Sequence, residues 1–516
     1  VGISGGSRQK LPAAACTSFD HAMGNPFQPL AKKDFDYGAA QHLLNRAGFG
    51  GTPAQVRALV ELGLDGAVEY LVDFKGERVS NEGVDFRSDI LRAQTPDERE
   101  LLRRARATND TETIARIERE RQERQNADRA QIAAMKRWWL ARMIETGRPL
   151  QEKLTLFWHG HFATGYRTIE NSWHMLMQNG MLRSNCAGNF ADLVRGIICD
   201  PAMLKYLDND ENRKSSPNEN LARELMELFT LGEGNGYGER DIKEGARALT
   251  GRTFRDNAYF FDRAQHDAGG KQILRRSGDF TGDDLVSIIL EQPECSRFIA
   301  GKLYRFFVND APTTTRDGTE TIERLAKALR DARYEIRPAL RALFRSQHFY
   351  AVDNRLSIIK SPTQLMVQTV RSLGTPVRSV DRLVEAGDLM GQELFQPPSV
   401  KGWPGGRSWI NTATVFTRQN TAVFLITGRT TRGNTAGSAD AYDAMHLVEH
   451  LRDAAGTLDP RECVRGLASF ALGGDPGRAR MAELESYLGS LGGGIDNERI
   501  KALLCLITAM PEYQLC

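Results

Sequence analysis

The chain has almost no net charge, no paired cysteine motif and no long apolar run, and each lack removes a class of function. Its 68 Lys and Arg nearly cancel its 66 Asp and Glu, so no overall field draws it to nucleic acid or to an anionic membrane surface. Seven cysteines stand at 16, 186, 199, 295, 463, 505 and 516 without a C-x-x-C pair or any short metal-ligand spacing. That scatter argues against a cysteine zinc site and fits buried free thiols, with one or two disulfides in an oxidising compartment. No stretch reaches the roughly 18 apolar residues of a transmembrane helix. No Gly-x-Ser-x-Gly elbow accompanies the histidine and carboxylate clusters, so a serine triad finds no support. Gly48-Phe49-Gly50-Gly51 lacks the Lys-Ser/Thr that completes a P-loop, so it reads as a turn.

The N-terminus has neither a basic segment leading into an apolar core nor an initiator Met. The expectation is that a targeting segment has been removed or that the numbering begins inside the gene product. Ala13-Ala14-Ala15-Cys16 is loosely similar to a lipoprotein cleavage site, but the apolar stretch before it is too short.

What is present is helical punctuation. Thr52-Pro53-Ala54-Gln55 has the N-cap, first-turn proline and N3 glutamine of a capping box, and Gly63 is expected to close that helix. Residues 96–146 interleave Arg and Glu, then place Ile132, Met135, Trp139 and Met143 at spacings of three and four, predicting a long helix or helical hairpin. Strand signals are sparse: Ala258–Phe261 and Lys271–Leu274 read as one small hairpin with His266-Asp267 at its tip. The fold expected is mainly α, a large multi-helix domain with long irregular loops and at most that hairpin. Residues 1–35 read as an extended arm, 36–425 as the main helical domain, 426–440 as a linker or loop, and 441–516 as a C-terminal helical subdomain.

Trp158-His159-Gly160-His161-Phe162, Asn218-Glu219-Asn220 through Leu231-Gly232, and Lys401-Gly402-Trp403-Pro404-Gly405-Gly406 with Trp409-Ile410-Asn411-Thr412 resemble the domain of unknown function 1800 family. Asn45-Arg46-Ala47-Gly48-Phe49-Gly50, Ala246–Gly251 and Gly278–Asp284 support the resemblance, which runs from about residue 36 to 425. It implies a largely helical bacterial protein, commonly exported and hence periplasmic or extracellular. It also implies a sulfatase-like partner encoded nearby. It implies no reaction.

Three clusters can do chemistry, and they hold three of the nine histidines. His159 and His161 would point about 200° apart on a continuous helix; on an extended segment, or where Gly160 ends the helix, they face one side and would then suit zinc, iron, copper or manganese. Asn220, Glu224 and Glu227 fall on one helical stripe beside Leu221, Leu225 and Leu228. Those carboxylates are metal ligands, an acid/base pair, or partners of Arg223, Arg247 and Arg252. His266-Asp267 before Gly269-Gly270-Lys271 offers metal ligands, a general base, or a self-capping turn. Trp403 and Trp409 sit in a loop fixed by prolines and glycines, either as a substrate-binding wall or as a lid over the core.

The leading expectation is a metal-dependent enzyme, hydrolase before oxidoreductase. His159, His161, Glu224, Glu227, His266 and Asp267 would ligate a divalent metal ion. Glu224, Glu227 or His266 would move protons, and Arg223 and Lys271 would neutralise an anionic substrate. The alternatives are a metal-free glycosidase using two of Glu219, Glu224, Glu227 and Asp267 with a Trp platform, and a non-catalytic envelope or assembly protein whose polar clusters are buried networks. His446-Leu447-Val448-Glu449-His450 spells an inverted zinc-protease pattern, and Glu170/His174 an i, i+4 pair; both read better as ordinary helix faces.

Overall fold

A computed structural model describes residues 25–79, 85–311, 315–429 and 441–516. Most of the expected arm, residues 1–24, and most of the expected linker, 430–440, lie outside them. The described residues form 21 α-helices and two small antiparallel sheets, so the protein is mainly α. No described helix is long and apolar enough to cross a membrane.

Local signals account for most helix starts. Thr52 and Gln55 make both bonds of the capping box. Gly63 closes the first helical piece as expected: its φ of 66° and ψ of 174° are non-helical and divide Pro53–Val72 into two helices across a kink, with Leu59 before it and Leu64, Val68 and Leu71 after it all buried. The charged stretch is a hairpin of helices, Pro96–Ala107 and Thr111–Glu145.

The expected hairpin is corrected. Ala258–Phe261 pairs with Arg252–Arg255, and Lys271–Ile273 pairs with Arg276–Gly278. His266 and Asp267 therefore lie between two hairpins rather than at the tip of one. The Arg252–Arg255 strand is hard to read because its arginines look solvated. Yet Arg252 is buried, 2.6 Å from Asp283, and Arg255 stacks 3.4 Å above the Phe260 ring.

Two hydrophobic clusters divide the interior. One gathers residues from the first helices to Tyr350. The other joins Met135, Trp139 and Leu365–Leu373 to the last helices, including Leu467, Leu503 and Tyr513. The helix Pro149–His161 lies between them, giving Leu154 and Trp158 to the first and Leu156 to the second. A cavity opens along that seam.

Burial also leaves the carboxylates of Asp128 and Asp200 without an ion pair among the described residues. Asp200 accepts hydrogen bonds from Met203 N at 2.9 Å and Gln178 Nε2 at 2.7 Å, and burial pushes its carboxyl up to about 7. Since the folded state then holds its proton where the unfolded state has lost it, stability falls as pH rises from about 4 to 7. Asp200→Asn keeps the cap without the charge and is expected to stabilise the protein at pH 8 by on the order of 2 kcal/mol. Urea denaturation at pH 8 and pH 4 checks this; an equal effect at both pH values would rule it out.

Candidate functional site

The helix carrying the two histidines starts with Pro149 in its first turn and runs without a break through His161. Gly160 does not end it, so the rings diverge as a continuous helix requires. His159 Nε2 accepts a hydrogen bond from Phe395 N at 3.2 Å, and its ring packs 5.3 Å from Trp139 and 5.6 Å from Trp403. His161 Nε2 stands 3.0 Å from Phe229 O. A carbonyl only accepts, so Nε2 carries the proton and Nδ1 keeps its lone pair. That Nδ1 is buried without a hydrogen-bond partner among the described residues. Burial drives both imidazoles down to about 3, helped at His161 by the charge of Lys302, so both are neutral.

The carbonyl that fixes His161 comes from a π-helical turn, Leu225–Thr230, following the short helix Asn220–Glu224. The extra residue per turn buries Phe229 while Leu228 is only half-buried, so the expected apolar stripe breaks there. Glu224 is half-buried, and burial followed by the charge of Glu227 raises its carboxyl. Glu227 meets Arg223 at 3.4 Å. Arg223 also binds Glu219 at 3.1 Å and Glu239 at 2.8 Å, so its charge is already spent on protein carboxylates.

The third cluster is likewise self-contained. Asp267 is held by Arg247 at 2.7 Å, which keeps its carboxyl below the usual range. Lys271 Nζ donates to the carbonyls of Asp267 at 2.6 Å and Gly269 at 2.9 Å. His266 Nδ1 lies 3.0 Å from Thr250 O. The structure does not gather the six expected ligands: among the described residues, no group of three or more His, Cys, Asp and Glu is arranged to hold a metal ion. His446 and His450 fall in separate 3-10 turns, and Glu170 caps one helix while His174 belongs to the next, so neither pair shares a helix face.

What the structure does assemble is a cavity of about 430 Å³ where the Pro149–His161 and Pro293–Phe307 helices, the Ile358–Ser361 segment and the Trp403–Trp409 loop meet. His161, Trp403 and Trp409 line it. So do six cations, Arg46, Lys153, Lys302, Arg305, Lys360 and Lys401. Against them stand Asp310 and the negative group at Cys516, which offsets burial at Arg46, Lys153 and Lys360. A surplus of positive charge in a partly enclosed space focuses potential on an incoming anion.

The cations divide into two kinds. Arg46 donates to the carbonyls of Val308 at 3.0 Å and Asn354 at 2.6 Å, and Lys360 to Tyr513 O at 2.8 Å while lying over that ring. These hold the walls together. Lys302 and Arg305, one turn apart on the Pro293–Phe307 helix, make no hydrogen bond or ion pair to the protein among the described residues. Burial, then the charge of Arg305, lowers the Lys302 ammonium below its ordinary range. Trp403 Nε1–H, on the opposite wall, is buried and also lacks a partner among the described residues. Lys302, Arg305, Trp403 and His161 thus line one space, the two cations without a protein hydrogen bond or ion pair among the described residues and the two unpartnered ring nitrogens closed off behind its surface.

Sequence reasoning reached His161, Trp403 and Trp409 and missed Lys302 and Arg305. Those two look like the polar side of an amphipathic helix. Only the fold shows that this side faces a cavity.

No curated protein and no solved structure matches the chain. The family described as "Protein of unknown function (DUF1800)" has a model that matches residues 42–515, nearly the whole chain, and to that family this protein belongs.

Proposed function

We propose that the protein binds an anionic small molecule in the cavity under the Trp403–Trp409 loop. The observation that carries this reading is the charge of the lining, six cations against two negative groups, with Lys302 and Arg305 unpaired among the described residues. A phosphate, sulfate or carboxylate group would give both a counter-charge, and the indoles suit the flat apolar face of a sugar ring or similar body.

Hydrolysis of the bound molecule is a second reading, favoured by His161. Its proton is fixed on Nε2 by Phe229 O, and Nδ1 keeps a lone pair without a partner among the described residues; burial closes that nitrogen off and holds the imidazole down to about 3, so this reading requires the ring to be opened to the cavity. The divalent metal expected from the sequence does not fit the six residues named for it, because among the described residues they are not gathered into any group of three or more ligands. No step is routed through it. Family membership adds the proposal of an exported, periplasmic or extracellular protein with a sulfatase-like partner encoded nearby.

Calorimetric titration of phosphorylated, sulfated and carboxylated sugars tests the binding. Salt should weaken it, and Lys302→Gln with Arg305→Gln should weaken it by about tenfold or more, the loss of one charge-assisted hydrogen bond. Unchanged affinity in the double variant would move the site elsewhere.

A further inference from the structure

Lys153 differs from Lys302 and Arg305 in that the protein itself holds its amine beside the cavity. It reaches from the middle of the Pro149–His161 helix into the cavity lining, and its Nζ lies 5.0 Å from the Phe49 ring and 5.6 Å from that of Phe306. Two acceptors hold it, Gly48 O at 3.0 Å and Gln364 Oε1. A neutral amine has two N–H bonds and one lone pair. With both N–H bonds engaged, the lone pair is the one position left over.

Three elements bring charge to bear on that nitrogen: Arg46 from the Tyr37–Ala47 helix, Lys360 from the segment before the Pro362–Leu373 helix, and Cys516. Burial is the largest influence, Cys516 opposes it, and Arg46 and Lys360 reinforce it; the amine is brought down to about 7. A substantial fraction is therefore unprotonated near neutrality, unlike a solvated lysine.

We propose that Lys153 is a carbonyl-reactive amine, placed to form an imine with an anionic aldehyde or ketone held by the cavity's cations. The nitrogen lone pair adds to the carbonyl carbon, forming an N–C bond as the oxygen takes up a proton. Loss of the remaining N–H proton and departure of the oxygen as water then give the C=N bond, so amine and carbonyl become imine and water. This inference rests on the anion-binding reading for its choice of substrate, though not for the reactivity of the amine.

The test uses the unaltered protein with pyridoxal 5′-phosphate, and with pyridoxal as its uncharged counterpart. Borohydride reduces any imine to a stable secondary amine, and peptide mass spectrometry locates it. The expected result is one dominant label on Lys153, forming at least tenfold faster with the phosphate than without it, half-maximal near pH 7 and competed by inorganic phosphate. Labelling confined to exposed lysines outside the cavity such as Lys327 and Lys214, or Lys153 labelled no faster than these, would overturn the proposal. Equal labelling of Lys153 by pyridoxal and its phosphate would uphold the amine and sink the anion-binding reading. Phosphate binding to an unlabelled Lys153 would do the reverse.

Discussion

Glu152→Ala is expected to cost about 3–5 kcal/mol, because it removes a buried carboxylate that two guanidinium groups share. Glu152 has no exposed surface. Its Oε1 accepts from Arg142 Nε at 2.6 Å and Arg183 Nε at 2.8 Å, and its Oε2 from Arg183 Nη2 at 3.0 Å and Trp139 Nε1 at 3.0 Å. Burial alone would raise this carboxyl, but the charges of Arg183 and Arg142 outweigh it and hold it below the usual range. The stabilisation is therefore present above the unfolded carboxyl value and is lost as pH falls through the folded one. The exposed Arg324–Glu320 pair, at a similar 2.7 Å, should cost under about 0.5 kcal/mol when broken. Urea titration of Glu152→Ala beside Glu320→Ala measures both. Equal losses would mean that the buried network does not tie the histidine-bearing helix to its neighbours.

The second large effect belongs to Gly402, and it concerns the cavity. Gly402 has φ 76° and comes so close to Gly160 that an added Cβ would overlap the Gly160 carbonyl oxygen. Gly402→Ala should cost about 2–3 kcal/mol, combining left-handed strain with a clash against backbone that cannot step aside. It should also push Trp403 out of the cavity wall and weaken anion binding by more than about tenfold. Gly405 supplies the comparison. Its φ is 72° and its ψ −171°, a region essentially reserved for glycine, but an added Cβ meets nothing within 4 Å, so Gly405→Ala should show the strain alone, about 1–3 kcal/mol, with binding retained. Denaturation and calorimetry on both variants separate the two contributions. Matching losses of binding would show that loop strain, rather than the close approach to Gly160, sets the position of Trp403.

Gly160 and Gly402 also show where the sequence could and could not be read. The capping box at Thr52 was legible because every group that forms it lies within three residues. Gly160 suggested a helix end because glycine is a poor interior residue. Its helix continues, and the Trp403 ring and Gly402 pack against it from some 240 positions away, a contact no local pattern records. The divergence of His159 and His161 follows from that continuity, and with it the loss of the expected metal geometry. The hairpin pairing failed for a related reason: buried Arg252 and stacked Arg255 draw their stability from Asp283 and Phe260, so charge disguised a strand. The cations of the cavity come from positions 46, 153, 302, 305, 360 and 401. Apart from Lys302 and Arg305 they share no spacing, and only the packing of five segments makes them a site.

The most direct test is diffraction from crystals soaked in selenate, a tetrahedral oxyanion whose selenium is located by anomalous scattering. An ordered selenium between Lys302, Arg305 and Trp403, lost in crystals of the Lys302→Gln, Arg305→Gln protein, is the predicted result. Selenate ordered only at outer surface sites, with Lys302 turned to a protein carboxylate, would contradict it.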